Sequence, residues 1–543
     1  MAGLSWRIET RGHRMAGRMP RRAAGLLAAA AVLAAASTAT AHPAAQAAMS
    51  AMSAQAGGPA APGVERVTAG PARSLGEPAA AQDAAATAVA ATSFAGAGAQ
   101  AVVWTKRAGA VTWRRAGAVR PTGFGSSYDP AAAAAPGGPL LVVAGTAPPG
   151  EQCITNGSVA IASVGSGGTL SAARLVSDQR GTGSFDDRPM IAVGQHGTVW
   201  VAWSQGPNAD ACQNVGTGDR IEVAVSRDGG QTFGHPVALP ADGGHSAFGV
   251  RLAPLPGGQL GVSWTETTAA GGQAVLVSVV GADGRPRPTA TAMTGDGPPL
   301  VLPGASFYDF PAGDIAALPG GELVVAAPFW VSGRSVIKVA AGQPCGRWQQ
   351  ASVRPPAGAD LLLPALAALP AGGLRLLCAV HTRAGDRTGY NWAAVTVAGQ
   401  GPAISPAGLT ALTPAPPGPG FYEIGEELAL SPAPGGLLSA VVVAGQDGAT
   451  LETATFAAPP AAARPDHTGA SASRTPAPGA TGRTTPAASA ATSANTRPRG
   501  FAATAAWLAA AALCCFAAVG ALLLRRHRRG LAARRRPPSH RRR

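Results

Sequence analysis

The chain has 543 residues, among them 73 glycines and 48 prolines, and a formal charge of +15. The charge is concentrated at the two ends: residues 1–41 contain six arginines and one glutamate, and residues 525–543 contain ten arginines and no acidic residue. Because these ends account for the whole excess, residues 42–524 are formally neutral. The basic composition therefore does not predict a nucleic-acid partner for the main domain.

The N-terminal segment, residues 1–41, has the organisation of a secretory signal peptide. An arginine-rich stretch precedes the apolar run AAGLLAAAAVLAAA at 23–36, and ATA at 39–41 fits a small-residue cleavage site before His42. We therefore expect the main domain to be extracellular. Residues 42–80 are predicted to be a disordered linker because they are rich in small residues and contain few large apolar ones.

Residues 81–460 contain a repeated pattern: an apolar strand, a glycine-rich turn and a second apolar strand. The six copies lie at 130–145, 189–204, 251–266, 314–329, 364–380 and 427–445. Each copy predicts a β-hairpin whose two strands are buried. An aromatic residue precedes five of the copies at intervals of about 60 residues or twice that, as Tyr128, Phe185, Phe248, Tyr308 and Tyr422.

This repeat predicts an all-β fold, a six-bladed β-propeller, since closed propellers contain about four to eight four-stranded blades. The segment 81–119 is either a seventh, degenerate unit or a source of strands that close the ring. A flat β-sandwich is the alternative architecture, but it does not explain a period of about 60 residues.

A polar turn, SRDGGQTF at 226–233, follows the second hairpin. It has the pattern Ser-x-Asp-x-Gly-x-Thr-aromatic, formed by Ser226, Asp228, Gly230, Thr232 and Phe233. An aspartate can accept bonds from the turn amides that follow it, and glycine permits positive φ. The string resembles the Asp box of sialidases and related BNR-repeat propellers, and residues 187–204 resemble the inner hairpin of bacterial members. The resemblance implies a propeller over 81–460, with the Asp box on an outer turn away from the active face.

A sialidase resemblance also implies three converging arginines that hold a substrate carboxylate, a tyrosine nucleophile paired with a glutamate, and an aspartate acid/base. The candidate catalytic residues here are Tyr422, Glu423, Glu427 and Asp129. The candidate ligand-binding residues are Arg188, Arg251, Tyr308, Asp309 and Asp314.

Two arginines, Arg188 and Arg251, begin predicted inner strands, and the Arg-Ile-Pro motif of the family is absent. We therefore predict a propeller that binds an extracellular glycan or protein ligand without catalysis. The alternatives are an exo-α-sialidase or related glycoside hydrolase, and a structural envelope protein.

Four cysteines lie in the predicted extracellular part, at Cys153, Cys212, Cys345 and Cys378. In an oxidising compartment they are expected to form disulfides, with three connectivities open. Matching positions in neighbouring repeats favour a Cys153–Cys212 bridge, which leaves Cys345 to pair with Cys378. No metal or cofactor is predicted, because the sequence contains no CxxC, no His-x-x-x-His and no GxxxxGK[ST] loop.

The C-terminal part is predicted to anchor the protein in the cell membrane. Residues 461–500 are rich in Pro, Ala, Ser and Thr and are expected to form a disordered stalk. Residues 501–524 carry no charge and are long enough to form one transmembrane helix. The arginine-rich tail, 525–543, is expected to remain cytoplasmic. The predicted topology is a single-pass membrane protein whose N-terminal domain is extracellular.

Overall fold

The computed structural model describes residues 63–457 except 69–74, 95–97, 135–137, 150–155, 208–219, 240–245, 269–270, 300, 304–311, 345, 370–372, 384–386, 399–400, 406–427, 435 and 446–447. The predicted signal peptide, stalk, membrane span and tail lie outside these residues. Within the described residues, no helix is both long and apolar enough to span a bilayer.

The described residues form seven four-stranded antiparallel sheets, together with two short 3-10 turns at Gln195–Gly197 and Pro256–Gly258. The first strand is β1, Gly63–Arg66. Blade 1 consists of β2 Leu75–Gln82, β3 Ala86–Ser93, β4 Gln100–Arg107 and β5 Arg114–Ala118. Blade 2 consists of β6 Ser126–Ala134, β7 Leu140–Ala147, β8 Ser158–Val164 and β9 Arg174–Leu175. Blade 3 consists of β10 Ser184–Val193, β11 Val199–Pro207, β12 Arg220–Ser226 and β13 Val237–Ala238.

The remaining four blades repeat this order. Blade 4 consists of β14 Ala247–Leu255, β15 Gln259–Thr267, β16 Gln273–Val280 and β17 Ala290–Gly295. Blade 5 consists of β18 Asp314–Ala317, β19 Leu323–Val331, β20 Arg334–Gly342 and β21 Trp348–Val353. Blade 6 consists of β22 Ala359–Ala368, β23 Leu374–Thr382, β24 Arg387–Ala398 and β25 Gly401–Ser405. Blade 7 consists of β26 Ala429–Ala433, β27 Gly436–Gly445, β28 Gly448–Ala457 and, from the other end of the chain, β1.

The seven sheets form a closed ring. The first strand of each blade contacts the first strand of the next, and β26 of blade 7 contacts β2 of blade 1. The fold is therefore a β-propeller, as the repeat predicts. Each of the six predicted units forms one sheet, and the uncertain segment 81–119 falls in a seventh sheet of its own.

The strand that closes the ring is β1, which pairs antiparallel with β28 from Gly63 opposite Thr455 to Arg66 opposite Glu452. It lies within residues 42–80, which the sequence predicts to be a disordered linker, so the folded domain begins earlier than predicted. The reason is that a four-residue strand shows no periodicity of its own. Its partner lies nearly 400 residues away along the chain, so the pairing leaves no local signal.

The core lies between neighbouring blades and is built mainly from small residues. Alanines of blade 1, such as Ala88 and Ala90, pack against Leu140 and Val142 of blade 2. Two large residues occupy the space on either side of blade 3. Trp200 belongs to the cluster shared with blade 4 and Trp203 to the cluster shared with blade 2, and both are at most 1% exposed. Both tryptophans therefore pack between blades.

The polar turn at 226–233 joins β12 to β13, the two outer strands of blade 3. Asp228 Oδ1 accepts the O–H of Ser226 at 2.6 Å and the backbone N–H groups of Gln231 and Thr232 at 2.9 Å each. Thr232 donates its hydroxyl to Asp228 Oδ2 at 2.5 Å. These bonds, first that from Ser226 and then those from Thr232, hold the pKa of Asp228 well below its usual range.

The other two predicted members of the turn have separate roles. Gly230 has φ 84° and donates its backbone N–H to Ser226 Oγ at 2.8 Å, so the turn uses the positive φ that glycine allows. Phe233 packs against the core between blades 2 and 3. The turn therefore closes an outer hairpin, where the sequence predicts it.

The predicted disulfide between Cys345 and Cys378 is wrong for Cys378, which is a free and fully buried cysteine on β23. Its side chain packs in the apolar core between blades 5 and 6, and burial raises the pKa of the thiol to about 12. The residue is part of a buried strand rather than a loop, so its thiol acts as a small apolar group. Cys153, Cys212 and Cys345 lie outside the described residues.

Candidate functional site at the centre of the propeller

The innermost strands share a backbone feature near their first residues, at one face of the propeller that we call the entry face. In five blades the register with the second strand shifts, and at the shift one residue has positive φ. These residues are Glu77, Asp129, Arg188, Gly249 and Leu363, with φ between 46° and 66°. Four of the five are not glycine, and a proline follows each of those four. The feature is therefore a repeated β-bulge that holds a strained residue in place.

The bulge explains why the two predicted arginines do not converge. Arg188 occupies the positive-φ position of blade 3, whereas Arg251 lies two residues past that position in blade 4. The blade 3 residue equivalent to Arg251 is Met190, the first to regain register after the bulge. Arg188 and Arg251 therefore occupy different levels of the ring, although the sequence treats them as matching strand starts.

Arg188 is only 9% exposed, and its Nε lies 3.9 Å from Oδ2 of the adjacent Asp187. It does not belong to the described lining of the central cavity. Arg251 does belong to that lining, and one of its guanidinium N–H groups donates to the backbone carbonyl of Val250 at 2.9 Å.

Asp314 also lines the central cavity, and it joins two blades. Its Oδ2 accepts the backbone N–H of Leu366 in blade 6 at 2.6 Å, and its Oδ1 accepts the N–H of Ile315 at 2.8 Å. The Asp314 carboxylate therefore links blades 5 and 6 and also lines the cavity. The other predicted ligand-binding residues, Tyr308 and Asp309, lie outside the described residues, as do Tyr422, Glu423 and Glu427.

The central cavity has a volume of about 710 Å³ and is lined by the innermost strands of all seven blades. Its described lining consists mostly of alanine, proline and aliphatic residues, and the charged members are Asp83, Arg251 and Asp314. Cavities of this size accommodate small molecules, and a few polar groups usually orient them. Arg251 in blade 4 and Asp314 in blade 5 supply one charge of each sign on neighbouring blades.

Asp129, the predicted acid/base, is held by its backbone. Its N–H is shared between Glu77 Oε2 at 2.9 Å and Thr92 Oγ1 at 3.0 Å. Thr92 in turn donates its hydroxyl to Glu77 Oε2 at 2.5 Å. Glu77 is 8% exposed, so this junction of blades 1 and 2 is a buried polar network. Glu77 was not among the predicted site residues, although the X-Pro pair that recurs near the start of four inner strands marks its position.

Tyr128 directly precedes Asp129 in the chain. It is 3% exposed, and within the described part of the chain its hydroxyl has no hydrogen-bond partner. Burial, and then the negative charges of Asp187 and Asp129, raise its pKa well above the usual value. The raised pKa keeps the Tyr128 hydroxyl protonated. The Tyr128 ring fills the space over Gly145, where a Cβ would lie 2.3 Å from Cε2 of Tyr128.

The repeat of aromatic residues is less regular than the sequence suggests. Tyr128 and Phe248 stand one residue before the positive-φ position, whereas Phe185 stands three residues before it. The acid after Phe185, Asp186, is therefore not equivalent to Asp129. Asp186 is fully buried and accepts bonds from Ser177 at 2.5 Å and Gln205 at 2.8 Å, and burial raises its pKa.

A third buried carboxylate, Asp360, joins blades 5 and 6. It accepts the backbone N–H of Ser335 at 2.8 Å and two guanidinium N–H groups of Arg383 at 2.7 and 2.8 Å. Burial alone would raise its pKa, but His381, Arg383 and Ser335 outweigh that effect and lower the pKa to about 2. Glu77, Asp186 and Asp360 thus each connect neighbouring blades.

No protein-family model matches the chain, and no curated protein matches it by sequence. Solved structures do match. They include a Hadza microbial sialidase, 13% identical, with a TM-score of 0.41 over 66% of this chain and 73% of that one. They also include an α-L-arabinanase from Penicillium chrysogenum, 12% identical, with a TM-score of 0.38 over 59% and 92%. A PL25 ulvan lyase is 12% identical, with a TM-score of 0.44 over 71% and 97%. At these identities the likeness concerns the fold alone, and no residue role is carried over from it.

Proposed function

We propose that this chain is a cell-surface, membrane-anchored propeller with a sialidase-like fold that binds an extracellular ligand, a glycan or a protein, without catalysis. The ligand enters the central cavity from the entry face. Arg251 contacts an acidic group of the ligand, and Asp314 accepts hydrogen bonds from its donors.

The observation that carries this proposal is the placement of the two arginines. Arg251 lines the cavity, whereas Arg188 is buried at a bulge beside Asp187. A sialidase-type site needs several guanidinium groups on one carboxylate and an activated nucleophile. The separation of Arg188 from Arg251 supports binding rather than turnover.

The test uses the purified full-length chain on a glycan array, beside a panel of fluorogenic glycosides. We expect binding to a set of acidic ligands and no turnover. Arg251→Gln should weaken that binding at least about tenfold, the loss of one or two charge-assisted hydrogen bonds. Arg285→Gln removes the same charge from an exposed outer turn of blade 4 and should leave binding unchanged. Release of sialic acid that is lost in Tyr422→Phe would contradict the proposal and identify an exo-α-sialidase.

The membrane anchor is part of the same proposal and has its own test. Protease added to intact cells should release a large fragment by cutting within 461–500, and the remainder should fractionate with membranes. Recovery of the full-length chain from the cytoplasm would contradict both the signal peptide and the anchor.

A further inference from the structure

The propeller, residues 81–460, contains 20 basic and 24 acidic residues, but these charges are not evenly distributed. From Ala84 to Tyr128 the chain contains no acidic residue. In the same stretch the hairpin formed by β4 and β5 carries Lys106 and Arg107 on one strand and Arg114 and Arg115 on the other. The three arginines are exposed. The outer edge of blade 1 is therefore a local basic surface, which we call the basic hairpin, residues 105–116.

A pocket lies where the basic hairpin meets the strands that close the ring. Its volume is about 190 Å³. The hairpin contributes Lys106, Arg107 and Trp113, and blade 7 contributes Glu65 from β1 and threonines from β28. An aromatic wall beside hydroxyl, ammonium and carboxylate groups suits a ring that has both an apolar face and many hydrogen-bonding groups.

Glu65 and Lys106 hold the Trp113 ring that forms one wall of this pocket. Glu65 accepts the indole N–H of Trp113 at 3.3 Å and forms an ion pair with Lys106. The ammonium group of Lys106 lies 5.2 Å from the centroid of the Trp113 ring. Glu65 therefore neutralises Lys106 and keeps the ring in place, and the positive charge that remains belongs to the arginines.

The three arginines lie on the two outer strands of blade 1, Arg107 on β4 and the other two on β5. Two N–H groups of Arg107 donate to the backbone carbonyl of Gly167 in blade 2, at 3.2 and 2.7 Å. Arg114 and Arg115 are neighbours on β5, the outermost strand, and lie opposite Thr105 and Trp104. Successive residues of a strand point to opposite faces of the sheet. These two charges therefore border the edge on both sides, which fits a narrow, extended partner better than a flat bilayer.

We propose that the pocket and the basic hairpin form a second binding site, one that takes an acidic polysaccharide. One ring of the polymer lies in the pocket against Trp113, and carboxylate or sulfate groups of the flanking rings pair with Arg107, Arg114 and Arg115. Guanidinium groups bind such oxyanions with two parallel hydrogen bonds. The site lies on the outer edge of the ring and does not depend on the function proposed for the central cavity.

The test measures hydrogen–deuterium exchange in the full-length chain with and without an oligogalacturonate, at low and at physiological salt. The readout is local, so the arginine-rich C-terminal tail does not obscure it. We expect the oligogalacturonate to slow exchange in peptides that cover 105–120, with less protection as salt screens the charges. Absence of protection in the unmutated chain at low salt would overturn the proposal.

Two double variants with the same loss of charge separate the site from general attraction. Arg114→Gln/Arg115→Gln should raise the oligogalacturonate concentration needed for half-maximal protection about tenfold. Arg285→Gln/Arg287→Gln removes two exposed arginines from the corresponding hairpin of blade 4, where Asp283 lies beside them, and should change nothing. Equal effects of the two variants would contradict a site on blade 1.

A Trp113 variant and a second polyanion test the role of the pocket. Trp113→Phe keeps a ring but loses the bond to Glu65, so it should weaken the oligogalacturonate effect while thermal unfolding remains cooperative. Polyphosphate of matched charge should protect 105–120 less than the oligogalacturonate. Equal protection by polyphosphate, or stronger protection by vesicles of anionic phospholipid, would overturn the assignment to a polysaccharide.

Discussion

The carboxylate of Glu77 in blade 1 accepts the backbone N–H of Asp129 in blade 2 at 2.9 Å, so the bulge of one innermost strand is tied to the bulge of the next. Both residues have positive φ, 53° for Glu77 and 46° for Asp129. Each of these two residues precedes a proline, which disfavours the right-handed helical conformation. Neither is a glycine, so the left-handed conformation that each adopts is strained. The hydrogen bond therefore offsets part of the strain in two adjacent blades.

Replacing Glu77 should test that link. Glu77→Ala leaves the hydroxyl of Thr92 and the amide of Asp129 without their buried acceptor, and we expect a loss of about 2–3 kcal/mol in the free energy of unfolding. Glu77→Gln keeps an acceptor oxygen and should cost less. Denaturant titrations of both variants measure the difference. Equal stability of Glu77→Ala and the unmutated chain would show that the link contributes nothing.

Asp360 should contribute to the loss of folding stability at low pH. Its pKa is lowered in the folded protein to about 2 from an ordinary value of 3.8, so folding favours the ionised form. The resulting stability is fully present above pH 4 and is lost as the pH falls toward 2. We expect this group to contribute about 1–2 kcal/mol over that interval.

Asp360→Asn removes this titration, so the variant should be less stable at neutral pH but lose less stability on acidification. Unfolding free energies of both chains at pH 6 and pH 3 provide the measurement. The same pH dependence in both chains would mean that another group is responsible.

The turn around Asp228 should be structural. Asp228→Ala removes the acceptor of two backbone amides and two hydroxyls in one turn. We expect a lower melting temperature and unchanged ligand binding, since the turn joins outer strands and is absent from the described cavity lining. Arg227→Gln, a neighbouring surface change, serves as control. Normal melting with lost binding would give the turn a direct functional role.

Substitutions at Gly145 and Tyr128 should have non-additive effects on the free energy of unfolding. Gly145→Ala places a methyl group where the Tyr128 ring lies and should destabilise the domain by about 1–3 kcal/mol through overpacking. Combining it with Tyr128→Leu should recover part of that loss, because the smaller side chain can move away from the methyl group. A double-mutant cycle from thermal unfolding measures the coupling. Additive effects would contradict the packing described.

Much of the ring follows from local sequence. Strand alternation and glycine-rich turns are short-range signals, so the hairpins of blades 2 to 7 and the turn at 226–233 could be placed without a structure. Blade 1 has the same architecture, but its strands are rich in alanine, such as ATAVAATS at 86–93. They therefore differ less in hydrophobicity from the small-residue turns, and the repeat is harder to recognise.

The candidate site was harder to predict because it depends on register. A bulge adds a residue to one strand, and a shift of that kind moves every following side chain to the other face. The sequence places Arg188 and Arg251 at similar distances from their hairpins, and only the backbone shows that Arg188 occupies the bulge and Arg251 lies two residues beyond it. Cys378 was also misassigned, because its burial in the core between blades 5 and 6 depends on contacts between distant segments that the sequence does not show.

The pairing of β1 with β28 has a consequence for the order in which the protein can be completed. Blades 1 to 6 each consist of one continuous segment, so each can assemble as soon as its own four strands have been synthesised. Blade 7 needs a strand made at the start and three made at the end. The first strand must therefore wait, unpaired, until the last hairpin emerges, and a protease that trims the N-terminal segment past Gly63 during this interval would leave the ring without its final closure.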